Sequence, residues 1–158
     1  EQAARLARTS GVRRIHVVPT TTIPQGISAM MAYDESAEIK DNVEAMQEAA
    51  SRVQSGSVTF AARDSDYDGH QIKEGELLAL ENGKVAFTGT DLGSVTAKVA
   101  KDLMQEDSQF ITLLYGADVS EEQAADVEEA VRSLLPEEVE LTVAYGGQPV
   151  YYFLISVE

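Results

Sequence analysis

The spacing of apolar residues along the chain predicts several amphipathic helices. The clearest covers 35–53, where apolar residues recur at steps of three and four and the Glu and Lys residues lie on the other face. Asp91 is a predicted N-cap, and Ser120 with Gln123 three residues later is the signature of a capping box. By the same reasoning we expect helices at 1–9, from about residue 24 to residue 34, at 35–53, at 91–105 and at 120–135.

Short apolar runs rich in β-branched and aromatic residues predict the strands of a sheet. Residues 76–87 contain two such runs joined at Asn82-Gly83, which is typical of a hairpin with a type I′ turn. Residues 109–116, a helix from residue 120 and a strand from residue 137 predict a right-handed crossover. Further strands are expected at 12–18, at 57–64 and in "PVYYFLISV". The order of elements therefore predicts an α+β fold, a mixed β-sheet packed with about four to five helices.

The same order of elements predicts two parts. Residues 1–34 would be the end of a preceding α/β lobe, consisting of a helix, a strand, the TIPQG turn and a short helix. Residues 35–158 would form an α+β lobe containing the mixed sheet. Because the chain opens on Glu1 within helix-forming sequence, rather than on Met, we expect it to be a fragment of a longer protein.

Charge and composition narrow the classes of partner. The 158 residues include 27 acidic and 12 basic ones, and the formal net charge is -15. This excess repels phosphate backbones and anionic lipids, so we expect neither nucleic-acid binding nor membrane insertion. The absence of cysteine excludes disulfides, thiolate catalysis and Cys-ligated zinc. With no signal peptide visible, we expect a cytoplasmic protein.

Motifs for metals and nucleotides are weak. In "DSDYDGHQIKEGE", at 64–76, three Asp residues and Gly69 match the start of an EF-hand loop, but Gly75 stands where the loop needs a bidentate Glu. We therefore interpret this segment as a solvated acidic turn between strands. His16 is expected to be a partly buried residue of a strand, and His70 lies on the acidic turn. With no phosphate-binding glycine motif and no nucleophile motif, we assign no metal ligand and no catalytic residue.

Two polar turns remain as candidate binding sites. "TTTIPQG" ends the first predicted strand and begins a helix, and "YGGQPVYY" joins the last two strands. Hydroxyls, carboxamides and tyrosines at such positions bind ligands or partners, although either segment could equally be a plain turn. Arg63 is a lone basic residue at the end of an apolar strand, with an ion pair to Asp64 or Asp66 as the alternative. The candidate binding residues are Thr20, Thr22, Gln25, Gly26, Arg63, Tyr145, Gly147 and Gln148.

Taken together, the two turns and the segments around them resemble the sequence of a known protein family. "VVPTTTIPQGISAMMAYD", "GSVTFAARDSDYDGHQIKEGE" and "EVELTVAYGGQPVYYFLISVE" resemble, in order, the C-terminal portion of the bacterial dihydroxyacetone-kinase-related proteins, which include the ATP-binding subunit of fatty acid kinase. The resemblance implies a DegV-like fold. The glycine-rich segment expected earlier in that domain, the nucleotide-binding Asp cluster of the kinase domain and the Cys and His metal ligands of the middle domain have no counterpart here. No catalytic residue is therefore carried over.

The resemblance implies a non-catalytic docking or regulatory domain. It would bind a fatty-acid-carrying partner protein so that a separate kinase domain, which binds ATP and Mg²⁺, phosphorylates the acyl carboxylate. We expect no cofactor in this chain, and whether it is itself an enzyme stays open. Two alternatives also stay open: a module that binds a fatty acid in its own right, and a phosphatase-like domain. A homodimer is compatible with the sequence.

Overall fold

The computed structural model describes residue 6, residues 15–67 and residues 70–158. Contacts within it divide the chain into two units, residues 1–53 and residues 54–158. Among the described residues, the two helices whose bounds are known in the first unit both follow residue 22, and the sheet lies in the second unit. The boundary predicted between residues 34 and 35 falls in the segment that joins the two helices of the first unit.

Residues 15–53 of the first unit contain helices α1 (Ile23–Met31) and α2 (Ile39–Arg52). Helix α2 confirms the predicted helix at 35–53, although it begins four residues later. The connection between the helices is held by buried Asn42, whose Oδ1 accepts from Asp34 N at 2.8 Å and whose Nδ2 donates to Asp34 O at 2.6 Å. Because a buried amide without partners is costly, these bonds fix the turn between the two helices.

The strand predicted at 12–18 is not formed in its described part, residues 15–18. A strand needs a neighbour for its backbone hydrogen bonds, and both elements of the described part of this unit are helices. The remainder of that strand lies outside the described residues. So does the helix predicted at 1–9, except Leu6, which is helical.

The second unit is a six-stranded mixed sheet with helices against it. Its strand order is β5-β4-β1-β8-β6-β7, in which β6 and β7 are parallel and the other neighbours are antiparallel. A separate short hairpin follows β1. The elements are β1 (Gln54–Phe60), β2 (Ser65–Tyr67), β3 (His70–Ile72), β4 (Leu77–Glu81), β5 (Lys84–Gly89), α3 (Leu92–Leu103), β6 (Phe110–Tyr115), α4 (Glu121–Arg132), β7 (Glu140–Tyr145) and β8 (Tyr151–Val157).

The core lies between α3, α4 and one face of this sheet. Strand β8 contributes Phe153, Ile155 and Val157, all fully buried, because alternate residues of a central strand face the same side. In β1, a Cβ on Gly56 would lie 2.5 Å from Val99 Cγ1, so only glycine allows α3 this close to the sheet. The six-stranded mixed sheet and the four helices of the described residues confirm the predicted α+β class.

Local signals read from the sequence are borne out in this unit. Asn82 and Gly83 both have positive φ, 48° and 83°, as the type I′ turn between β4 and β5 requires. Ser120 and Gln123 form the predicted capping box at the start of α4. The side chain of Asp91 accepts from Ser94 N at 2.8 Å and caps α3. These residues act through neighbours three or fewer positions away, which is why the sequence predicts them.

Candidate functional site

The first candidate turn, residues 20–26, is closed by its own hydrogen bonds. Thr22 is the N-cap of α1 and its Oγ1 accepts from Gln25 N at 3.3 Å. Gln25 Oε1 accepts in return from Thr21 N at 3.0 Å and from Thr21 Oγ1 at 3.1 Å. This reciprocal arrangement satisfies backbone donors that the first turn of a helix leaves unpaired. Within the chain, the predicted binding residues Thr22 and Gln25 start a helix, and Thr21 was missed as their partner.

The two other predicted residues of this turn have simpler surroundings. Thr20 is half-buried, and its Oγ1 lies 3.9 Å from the position that a Cβ on Gly26 would take. Gly26 lies inside α1 and donates its N–H to Thr22 O at 3.1 Å, as an ordinary helical residue. Contact of these residues with a partner stays a prediction.

Helix α1 itself has a water-facing apolar side. Its residues Ile23, Ile27, Met30 and Met31 are spaced by four, three and one positions, so they share one face, and each is exposed. The sequence shows this segment as apolar but does not show which side is covered.

The second candidate turn, residues 145–151, is anchored to the end of β6. Gly146 N and Gly147 N both donate to Tyr115 O, at 2.9 and 3.2 Å, and Ala117 N donates to Gln148 O at 3.0 Å. The Gln148 side chain points inward, with its Nε2 donating to Leu114 O at 2.8 Å. Gln148 therefore holds the turn in place.

Glycines let the turn approach β6 this closely. A Cβ on Gly116 would lie 2.2 Å from Tyr151 O and 2.7 Å from Gln148 O, and both of these are backbone atoms. Gly147 has φ 65°, and a Cβ there would lie 3.2 Å from the Tyr145 ring. The predicted residue Gly147 thus supplies a backbone conformation that other residues rarely adopt.

Val150 has a strained backbone at the end of this turn. Its φ is 72° and Tyr151 N donates to Pro149 O at 2.8 Å, the pattern of the rarer γ-turn with positive φ. For a β-branched residue this conformation is an outlier that costs about 1–2 kcal/mol. Thr59 Oγ1 donates to Val150 O at 2.7 Å, where the pairing of β1 with β8 shifts register. Val150 is not among the predicted site residues, because no local signal in the sequence favours valine with positive φ there.

The strained valine and several exposed aromatic residues lie at the same end of the sheet, where β1 and β7 end and β8 begins. Val150 is 55% exposed and Tyr145 is 65% exposed, while Phe60 and Tyr151 are each 38% exposed. Tyr145 packs on Tyr115 with ring centroids 5.3 Å apart, and Phe60 packs on Tyr152 at 5.8 Å. We call Phe60, Tyr145, Val150 and Tyr151 the γ-turn surface. Its composition, aromatic with one aliphatic residue, is typical of protein interfaces.

Arg63 lies in an exposed bend after β1. The ion pair considered for it, with Asp64 or Asp66, is not formed in the described structure; Asp64 Oδ1 instead accepts from Glu74 N at 2.7 Å. An exposed ion pair between Arg63 and a solvated carboxylate would add little to stability. The Asp64 carboxylate accepts a backbone hydrogen bond instead. Arg63 thus stays a candidate contact residue.

The acidic segment at 64–76, which was interpreted as a turn between strands, contains the short strands β2 and β3, which pair as a hairpin of their own. Asp68, Gly69 and the side chain of His70 lie outside the described part of the chain. Within the described residues, no group of three or more His, Cys, Asp or Glu side chains is arranged to hold a metal ion.

His16 differs from its prediction, because it is exposed and lies outside any strand. It lines an open cavity of about 490 Å³ in the first unit together with residues of α2 and its start: Glu38, Ile39, Lys40, Val43, Glu44 and Gln47. The lining alternates in charge and includes aliphatic side chains, so it offers no single chemistry to a ligand.

Among the residues that the structure describes, three carboxylates have shifted pKa values. Hydrogen bonds from Ser94 lower the pKa of Asp91, the N-cap of α3, and those from Ser36 lower the pKa of Asp34 in the turn after α1, because they stabilise the charged carboxylate. Burial, followed by the nearby charge of Asp102, raises the pKa of Glu81, one of whose oxygens is buried without a hydrogen-bond partner. None of these groups lies in either candidate turn, so the perturbed carboxylates mark structural positions.

None of the helices in the described part of the chain is long and apolar enough to cross a membrane.

Comparison with known proteins identifies relatives that align with the whole chain. A protein of Staphylococcus haemolyticus is 39% identical over 158 residues, and protein YloV of Bacillus subtilis is 35% identical over 156 residues. The chain spans only 28% of the length of each of these curated relatives.

Solved structures of the same fold are more distant in sequence. A DegV family protein from Corynebacterium glutamicum matches with a TM-score of 0.66 and 16% identity, over 99% of this chain and 68% of that one. A DegV family protein from Ruminococcus gnavus, described with vaccenic acid, matches with a TM-score of 0.57 and 11% identity, over 98% of this chain and 64% of that one. At these identities the match shows the fold alone.

The model of one protein family, the C-terminal domain of FakA-like fatty acid kinase subunits, matches residues 1–158. The predicted resemblance is therefore confirmed, and the chain belongs to the FakA-like C-terminal family of fatty acid kinase, with the fold of the DegV family proteins.

Proposed function

We propose that this domain is the docking module of a fatty acid kinase subunit. It binds a protein that carries a fatty acid and holds it so that a kinase domain elsewhere in the subunit phosphorylates the acyl carboxylate. Family membership supports the link to fatty acid kinase. The assignment of docking to this part of the protein is our own. We also place the protein in the cytoplasm, with which a cysteine-free sequence is compatible.

The observation that carries the proposal is that the carboxamides of both turns make hydrogen bonds within the chain, whereas apolar side chains around the second turn are exposed. Gln25 and Gln148, the two carboxamides predicted to bind, make their hydrogen bonds inside the chain. The side chains presented to water around the second turn are Tyr145, Val150 and Tyr151. A catalytic site needs polar groups aimed outward at a substrate, whereas a docking surface needs apolar groups.

Phosphoryl transfer depends mainly on positioning and electrostatics, so a domain without reacting groups can still contribute to it. In our proposal ATP and Mg²⁺ belong to the kinase domain, and this chain fixes the place and orientation of the carrier. The rate of the complete enzyme would then depend on affinity between this domain and its carrier.

The direct test uses DegV family proteins from the same organism, each loaded with vaccenic acid, as candidate carriers. Titration calorimetry of this chain against each should detect a complex with at least one of them. The chain alone should show no ATP turnover with any loaded carrier, with the full-length relative from Bacillus subtilis as the positive control. Binding to no loaded carrier would refute docking, and ATP turnover by the chain alone would refute its non-catalytic role.

A second candidate function, binding of a fatty acid by this domain itself, is favoured by one observation. The Ruminococcus gnavus protein that shares the fold is described with vaccenic acid. Native mass spectrometry of the purified chain separates the two functions, because a retained fatty acid would favour lipid binding and its absence after incubation with vaccenic acid would favour docking.

A further inference from the structure

We propose that the γ-turn surface is the contact surface for the acyl-carrying partner and that Val150 is its central contact residue. The inference rests on the proposed docking function and names the surface that performs it. The starting point is that valine is an unfavourable choice at this position both for the backbone and for solvation.

Val150 has positive φ, a conformation that glycine or asparagine adopts more readily, and more than half of its side chain faces water. The water-exposed part of its apolar side chain contributes no burial free energy to folding. Valine therefore neither suits the backbone conformation at this position nor stabilises the fold by full burial. We attribute its presence to contact with another molecule. Strained residues of this kind concentrate at binding sites, where the strained geometry presents a side chain.

The turn that carries Val150 is rigidly supported. Its backbone accepts from Ala117 N, just after β6, and donates to Tyr115 O at the end of β6, while Thr59 Oγ1 donates to Val150 O. Gln148 is a positioning residue, because it ties the turn to Leu114 O from the inside. A surface fixed before binding loses little conformational entropy when a partner arrives, which favours affinity.

The occupant is a protein whose apolar surface is bordered by basic residues. Residues 54–158 contain twenty acidic and six basic residues, so this unit carries most of the net negative charge. Exposed Asp118 follows Ala117, which is bonded to the turn, and exposed Asp64 and Asp66 follow Phe60 closely in the chain. A partner with Lys or Arg around an apolar patch complements this arrangement, whereas an acidic one is repelled. A second copy of this acidic chain is disfavoured for the same reason.

The test compares Val150→Gly and Val150→Asn with the wild-type chain, using as probe the vaccenic-acid-loaded DegV family protein that the wild type binds. Both variants should bind at least about tenfold more weakly, as for a central contact residue. Both should melt at the same temperature as wild type or higher, because the strain is relieved. Tyr145→Ala should weaken binding by a similar factor, and binding should weaken as salt is raised.

Two control variants separate this surface from general effects. Phe110→Ser changes a residue that is 51% exposed at the opposite end of the sheet, and should leave affinity unchanged. Asn82→Gly changes the other described non-glycine residue with positive φ, at the turn between β4 and β5, and should also leave affinity unchanged.

The outcomes are distinguishable. If the wild-type chain binds no loaded carrier, the proposed function fails and this inference fails with it. If the wild type binds and the Val150 and Tyr145 variants bind equally well, docking stands and this surface is wrong. A lower melting temperature of Val150→Gly would also overturn the inference, since the side chain would then serve the fold. So would a dimer, or a retained fatty acid, that is present in the wild type and lost in the variants.

Discussion

The turns at 20–26 and 145–151 both contain glycine, proline and glutamine, but they differ in backbone conformation and in the hydrogen bonds that hold them. In the first, Thr22 and Gln25 cap a helix with each other's help, and every backbone conformation is an ordinary one. In the second, Gly147 and Val150 adopt positive φ, and the turn is held by bonds to β6 and β1. The first turn is accounted for by its own local bonds, whereas the second combines a strained backbone with exposed aromatic residues, which is why our proposal places the partner there.

We expect the largest loss of stability from filling the space beside Gly116, where the second turn packs against the end of β6. In Gly116→Ala the new Cβ would collide with two backbone carbonyl oxygens, those of Gln148 and Tyr151, and neither can rotate away. We expect the free energy of unfolding to fall by about 3 kcal/mol, as for overpacked sites. Urea denaturation would measure this. A loss below about 1 kcal/mol would mean that the turn is not rigidly held.

The next largest loss of stability is expected when the carboxamide side chains of the two turns, Gln148 and Gln25, are removed. Gln148→Ala leaves the half-buried Leu114 O without its side-chain donor, and we expect a loss of about 1–2 kcal/mol. Gln25→Ala removes bonds that are exposed to water, and we expect about 0.5 kcal/mol. The difference between the two melting temperatures measures the contrast directly. Equal losses would show that the partial burial of the Gln148 bond adds nothing to its contribution to stability.

A smaller effect of opposite sign is expected in the first turn. Gly26 lies within α1 without positive φ, and a Cβ there would meet nothing nearer than Thr20 Oγ1 at 3.9 Å. Gly26→Ala should therefore stabilise the chain by about 0.5–1 kcal/mol through helix propensity. Thermal denaturation would show the increase, and a decrease would indicate that the glycine is kept for contact with a partner.

The smallest effect is a pH dependence that arises outside both turns, since neither contains a carboxylate or histidine. Burial raises the folded-state pKa of Glu81, so the folded chain holds that proton more tightly than the unfolded chain. The stabilisation is fully present below the ordinary value of 4.5 and is lost as the pH rises through the raised pKa. Glu81→Gln should flatten the profile of melting temperature between pH 4 and about pH 7. An unchanged profile would assign the slope to other groups.

The sequence predicts what depends on near neighbours and misses what depends on distant ones. The hairpin at Asn82-Gly83, the capping box of Ser120 and the Asp91 cap of α3 rest on contacts between residues at most three positions apart. The γ-turn rests on Thr59, which is 91 positions from Val150, and Gln148 turns inward because Leu114, 34 positions away, supplies an acceptor. Sequence reasoning selected Tyr145 and Gln148 together, and only the folded sheet shows that one is exposed and the other supports the turn.

Strand β8 occupies the middle of the sheet, between β1 and β6, although it follows both in the chain. During synthesis β1 and β6 therefore cannot complete their pairing in the sheet until residues 151–157 have left the ribosome. Joining β1 to β8 closes a loop of nearly the whole unit, which slows folding. A nascent chain that stalls before this strand would expose two open strand edges, so completion of the domain depends on the arrival of its last strand.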